Sequence, residues 1–142
     1  MNIFLAVPFS SRIDENGEVI AHYRSELEQL LARLRADGHM VFCALEYTGW
    51  RSVGDNSLPA DELQHDFEQI LKSDIMFALL EERISAGVEI ELGYAYAHDK
   101  TIRMFQIGRP AWSNIAISQL TSHPIETVRS VTDFGTRVLE SL

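Results

Sequence analysis

Residues 74–98 read DIMFALLEERISAGVEIELGYAYAH, and this stretch decides the fold class. Ile75 to Leu80 form an unbroken apolar run, short enough for a strand and suited to burial on both faces. Glu81 and Glu82 end the run. Ser85 can then cap a helix that continues to about His98, with Val88, Glu91 and Ala95 three and four residues apart on one face. A strand feeding directly into a helix is the building unit of a parallel sheet.

The unit recurs on both sides. Residues 3–7 are a buried strand, and 18–37 carry Leu27, Leu30, Leu31 and Leu34 at the spacing of one helical face, with Gly38 as the stop. Residues 40–45 give the second strand and 46–58 a loop. Pro59 opens the next helix, with Asp61 and Glu62 in its first turn. Beyond the central stretch come a strand over 101–107, a turn at Gly108-Arg109-Pro110, a short helix over 112–120, a weak strand over 125–128 and a last helix to Leu139. Strands alternating with helices predict an α/β fold: a flavodoxin-like, doubly wound, five-stranded parallel sheet of strand order 2-1-3-4-5, one domain across residues 1–142.

Composition narrows the function. Hydrophobic residues make up 46% and charged residues 23%, ordinary for a globular protein. The formal net charge of −9 argues against gripping a nucleic-acid backbone, though a single small phosphate needs only a helix N-terminus and a few donors. Cys43 is the only cysteine, so neither an intrachain disulfide nor a multi-Cys zinc site is available. The N-terminus does not read as a signal peptide, and no apolar run approaches the ~20 residues of a membrane span. A cytoplasmic protein with no membrane partner is expected.

In doubly wound sheets, ligands bind beyond the carboxyl ends of the strands, where the strand order reverses. That directs attention to Val7-Pro8-Phe9-Ser10 and to residues 82–91. Glu91 interrupts the core-facing stripe of Val88, Leu92 and Ala95, while Glu89 points to roughly the opposite side. Gly93, Ala95 and Ala97 keep this helix slim for close approach to the sheet. The preceding helix repeats the pattern, with Asp66 three residues after Leu63 and four before Ile70, beside Phe67. A carboxylate in such a place is desolvated, which raises its pKa and is unfavourable unless it is paired. Each alone suits a boundary residue reaching water or a backbone donor; two on consecutive helices suit an acid/base or nucleophile pair. Tyr47 and Trp50 can form a stacking wall for a planar base, or Trp50 can plug the end of the sheet. The five histidines show no metal-ligand spacing and read as surface residues.

Together these segments resemble the nucleoside 2-deoxyribosyltransferase superfamily, which includes nucleotide N-glycosidases. The likeness covers most of residues 3–107. Phe4-Leu5-Ala6-Val7-Pro8-Phe9 is similar to the family's opening FLAGPF. Asp66, Ile70 and Asp74 match its D-x3-I-x3-D, residues 85–95 match S/D-x-G-x-x-x-E-[LI]-G-x-A, and Lys100 follows as expected. The resemblance implies Glu91 as nucleophile at C1′ of the sugar and Asp66 holding or protonating groups around the leaving base. It implies no cofactor and no metal. Ser85 stands where the transferases carry Asp and the monophosphate hydrolases Ser, so Ser85 and Gly87 at a helix N-terminus are expected to bind a 5′-phosphate. The loop ending in Trp50, Pro8-Phe9 and Asp14-x-x-Gly17 resemble the cytidine-monophosphate hydrolases of the superfamily, which implies a pyrimidine nucleotide held by Phe9, Asp14, Tyr47 and Trp50. Ser113 falls where related hydrolases supply a phosphate-binding Ser from a neighbouring subunit, implying a homodimer or higher homo-oligomer with shared sites.

Two features depart from the pattern. Val7 replaces a small Gly, and the Tyr that steadies the transferases' nucleophile near the first strand has no counterpart. The expected activity is hydrolysis of a nucleoside 5′-monophosphate. The alternatives are base exchange by a deoxyribosyltransferase and a nucleotide sensor without turnover.

Overall fold

The structure, a computed structural model, describes residues 1–51, 61–110 and 112–142, the side chains of 112–114 excepted. The elements are β1 (Asn2–Ala6), α1 (Ala21–Ala36), β2 (Met40–Cys43), α2 (Ala44–Tyr47), α3 (Glu62–Lys72), β3 (Ile75–Leu80), α4 (Ala86–Ala97), β4 (Thr101–Ile107), α5 (Trp112–Ile117), a 3₁₀ turn (Ser118–Leu120), β5 (Glu126–Val128) and α6 (Val131–Glu140). All strand pairs are parallel and the order is β2-β1-β3-β4-β5, as the alternation of strands and helices predicts. The expected opening of α3 at Pro59 lies outside the described residues.

Strand periodicity divides the core into two layers. Ile3, Leu5, Phe77, Leu79 and Phe105 point to one face, where they meet Tyr23, Leu27, Leu31 and Leu34 of α1 and Phe134 and Val138 of α6. Phe4, Ala6, Met76, Ala78, Leu80, Ile102 and Met104 point to the other, against Ile70 of α3, Val88, Leu92 and Ala95 of α4, and Ile117. Every residue of β3 is buried, because it is the central strand with helices on both sides.

The family-like motifs have structural reasons. Ile70 is fully buried beneath the sheet. The Asp74 carboxylate accepts from the Asn2 backbone N–H at 2.7 Å, pinning the start of β1. Lys100 Nζ donates to the carbonyls of Leu71 (2.6 Å) and Ser73 (3.1 Å), satisfying acceptors left open at the end of α3. Gly38 follows the last residues of α1 with φ +90°, the left-handed stop expected of it.

Four details differ from expectation. The second strand ends at Cys43 rather than 45, and residues 44–47 form one helical turn where the end of that strand and the start of a loop are expected. Gly93 has no atom within 4 Å of where a Cβ would stand and Ala97 is exposed, so only Ala95 brings α4 close to the sheet. Ser85 occupies the N-cap position of α4, yet its side chain makes no capping hydrogen bond. His39 and His65 are half-buried rather than on the surface, His65 because its ring stacks on Tyr47 with centroids 4.1 Å apart.

Candidate active site

The reversal of strand order between β1 and β3 opens a cleft of about 320 Å³ at the carboxyl ends of these strands. Its floor is Leu5 and Val7, continued by Phe9 and Ser10 of the loop that follows β1. One wall is α2 with Leu45 and Thr48; the other carries Glu62 and Asp66 of α3 and Ser85, Gly87, Val88 and Glu91 of α4. No Lys or Arg lines it among the described residues. An anion here would have to rely on hydroxyls and on the backbone N–H groups that begin α4.

Packing sets the two carboxylates side by side. Phe67 and Tyr94 stack at 3.9 Å and 7°, joining α3 to α4 on their outer side. The same helices then turn Asp66 and Glu91 inward, each 7% exposed. Burial, and secondarily the charge of Asp66, holds the Glu91 carboxyl well above the usual carboxylate range. Burial, with a smaller contribution from Glu62, pushes Asp66 up to about 6. Asp66 Oδ1 and Glu62 Oε1 are buried with no hydrogen-bond partner among the described residues. A buried polar atom left open in this way is unfavourable unless a ligand or water completes it.

The loop after β1 is held from behind. Tyr23 of α1, fully buried, donates its hydroxyl to the Pro8 carbonyl at 2.8 Å. Arg12 lies over the Tyr23 ring at 4.9 Å, and its Nε donates to Glu81 at 2.9 Å. Ser11 Oγ donates to the other Glu81 oxygen at 2.7 Å. Glu81, just past the end of β3, thus ties the β1 loop across the switch point. The periodicity of α1 identifies its core face but gives no sign that Tyr23 reaches this loop. Glu62 was legible only as a first-turn acid.

The structure brings together Glu91, Asp66, Ser85, Gly87 and Phe9 around the cleft. It does not bring Tyr47, Trp50 or Asp14 to its lining. Trp50 is buried in the α1-side core with φ +63°, its N–H bound to the Leu45 carbonyl (2.8 Å) and its carbonyl to the Val19 N–H (3.0 Å). That placement fits the plug reading. Tyr47 is exposed and stacked on His65. Asp14 Oδ1 accepts from the N–H groups of Asn16 (2.8 Å) and Glu18 (3.1 Å), closing the turn at Gly17. The Ser113 side chain lies outside the described residues. Val7 does stand at the cleft floor. The Gly108 turn is shaped by packing: a Cβ there would stand 2.8 Å from Glu82 Oε1, which accepts from the Arg109 N–H at 2.9 Å.

No family model and no curated protein matches the chain. Solved structures do. The CMP N-glycosidase BcmB of Clostridium botulinum superposes with a TM-score of 0.67 at 17% identity, over 99% of this chain and 98% of that one. A 2-deoxyribosyltransferase of Bacillus psychrosaccharolyticus gives 0.63 at 26% identity, over 94% and 89%. The solution structure of BlsM gives 0.68 at 17% identity, over 98% and 90%.

Proposed function

We propose, from the premise that this chain belongs to the nucleoside 2-deoxyribosyltransferase-like superfamily, that it hydrolyses the N-glycosidic bond of a nucleoside 5′-monophosphate, CMP or a related pyrimidine nucleotide. The observation that carries the reading is the pair Asp66 and Glu91, both buried and both facing one cleft from consecutive helices. A pure binding pocket gains nothing from two desolvated acids; a glycosidase needs them.

In this reading an ionised Glu91 oxygen attacks C1′ as the C1′–N bond breaks, and the base departs with a proton from Asp66. Water then attacks C1′, gives its proton to the Asp66 carboxylate and releases Glu91 and the sugar phosphate. Burial raises both carboxyls, Glu91 the further, so the pair holds a proton near neutrality that must stand on Asp66 when Glu91 attacks, and the same burial keeps bulk water from the nucleophile. The phosphate would lie at Ser85 and Gly87, on the N-terminus of α4.

A second reading, exchange of one base for another, is favoured by the 26% identity to the transferase and differs only in the acceptor. Ser85 in place of Asp weighs against it, since an acid there would repel a phosphate. The test is incubation with a panel of nucleosides and 5′-monophosphates, followed by chromatography of free base. Base should be released from the monophosphate without an acceptor base, and Glu91→Ala should abolish release. Release only when a second base is added would transfer the case to base exchange, and an active Glu91→Ala protein would overturn the mechanism.

A further inference from the structure

The mechanism above uses two of the three carboxylates that line the cleft among the described residues. Glu62 is the third. It stands at the first position of α3, one turn before Asp66, so both side chains lie on the same face of the helix. Asp66 is the shared neighbour, raised by the charge of Glu62 and itself raising Glu91. Along the cleft wall, Ser85 and Glu91 thus stand on α4, and Asp66 and Glu62 on α3. If the sugar phosphate occupies the α4 end, the leaving base extends from Asp66 toward Glu62.

What Glu62 offers that base follows from its chemistry. It is half-buried, more exposed than Asp66 or Glu91, and burial raises its carboxyl from the usual carboxylate range. An ionised carboxylate only accepts hydrogen bonds. One of its oxygens, Oε1, is buried and without a partner among the described residues, as is Asp66 Oδ1 beside it. The facing wall of Ala44 and Leu45 is apolar, and the Thr48 hydroxyl there donates to the Leu45 carbonyl at 3.1 Å. A base edge reaching this end meets acceptors on α3 and no cationic side chain among the described residues.

We propose that Glu62 is a specificity residue that accepts a hydrogen bond from the exocyclic amino group of the leaving base, selecting cytosine-type over uracil-type nucleotides. Cytosine presents N–H donors where uracil presents a carbonyl oxygen, which a carboxylate repels. A hydrogen bond to a charged group, set against that repulsion, supports a discrimination of about ten- to a hundredfold. The inference rests on the hydrolase reading for which end of the ligand is the base.

The experiment compares kcat/KM for CMP and UMP in the wild-type protein, Glu62→Gln and Glu62→Leu. It also measures the affinity of both nucleotides calorimetrically in the Glu91→Ala background, with and without each Glu62 change. The wild-type protein should favour CMP by about tenfold or more. Glu62→Gln should lower CMP turnover and raise UMP turnover, because its amide can donate to a carbonyl oxygen. Glu62→Leu, unable to donate, should lower CMP turnover without helping UMP. A preference for CMP that survives both changes would overturn the proposal, as would a wild-type protein indifferent to the base. If no nucleotide is hydrolysed, the hydrolase reading fails and the calorimetric arm decides alone. A CMP preference that disappears in Glu62→Gln would still uphold Glu62; one that persists, or no binding at all, would refute it.

Discussion

Asp66 is the residue at which stability and chemistry oppose each other. Its carboxyl titrates near 3.8 when unfolded and near 6 in the folded cleft, so the folded protein holds that proton more tightly. Stability from this group is fully present at low pH, falls as pH rises through that window and stays reduced above it. Asp66→Asn cannot ionise and escapes the penalty. The variant should be more stable than the wild type by about 1–3 kcal/mol near pH 8, and the gain should vanish at pH ~3, below the unfolded value, as read by urea unfolding at both pH values. Its turnover should fall by about two to four orders of magnitude if Asp66 is the acid of the reaction. Removing the Asp66 charge should also bring the Glu91 carboxyl down, moving the rising limb of residual activity to lower pH. Equal stability at both pH values would mean that Asp66 is better solvated than its burial indicates.

At the scale of the element, α4 works with both its side and its end. Its side carries Val88, Leu92 and Ala95 into the core and so fixes where Glu91 stands. At its end, Ser85 is extended (φ −107°, ψ 104°) and leaves its capping role unfilled. Aspartate is a strong N-cap and its charge suits the helix dipole, so Ser85→Asp should leave the melting temperature unchanged or higher. The same charge would sit where a 5′-phosphate is proposed to bind. The expected outcome is a fall of about tenfold or more in kcat/KM for the nucleotide with a smaller effect on the nucleoside. Parallel losses on both substrates would place the phosphate elsewhere.

At the scale of the whole molecule, the expectation from the sequence is that a second copy helps to close the cleft. Ile115, two residues after the Ser113 expected to reach a partner's site, is an apolar side chain left 51% exposed, whereas Ile117 is buried in its own core. A two-fold dimer would let each copy place Ser113 in the other's cleft. Mixing Glu91→Ala protein with an inactive Ser113→Ala protein under exchange conditions should then restore activity, because one hybrid site in each heterodimer has both residues intact. A monomeric active enzyme in sedimentation, or a Ser113→Ala protein with normal kinetics, would leave each site self-contained.

Much of this was legible in the order of residues. The run from Ile75 to Leu80 and the stripe of Val88, Glu91, Leu92 and Ala95 determine a buried strand and the helix after it, because periodicity records which side chains leave water. Their place on apolar helical faces, Asp66 beside Phe67 and Ile70 and Glu91 beside Val88 and Leu92, marks the two carboxylates in the sequence itself, since a charge on such a face conflicts with the local pattern. Gly38 announced its turn through the left-handed backbone that glycine accepts. The rest depends on contacts between residues far apart in the chain, to which local pattern is blind. Nothing near Tyr23 foretells its bond to Pro8, and nothing near Glu81 foretells that it joins Ser11 and Arg12 across the switch point. Trp50 read equally well as a stacking wall or a plug until the α1-side core enclosed it. Glu62 looked like an ordinary first-turn acid, favourable to the helix dipole wherever it points. Only the packing of α3 on α4 turned it toward the cleft beside Asp66.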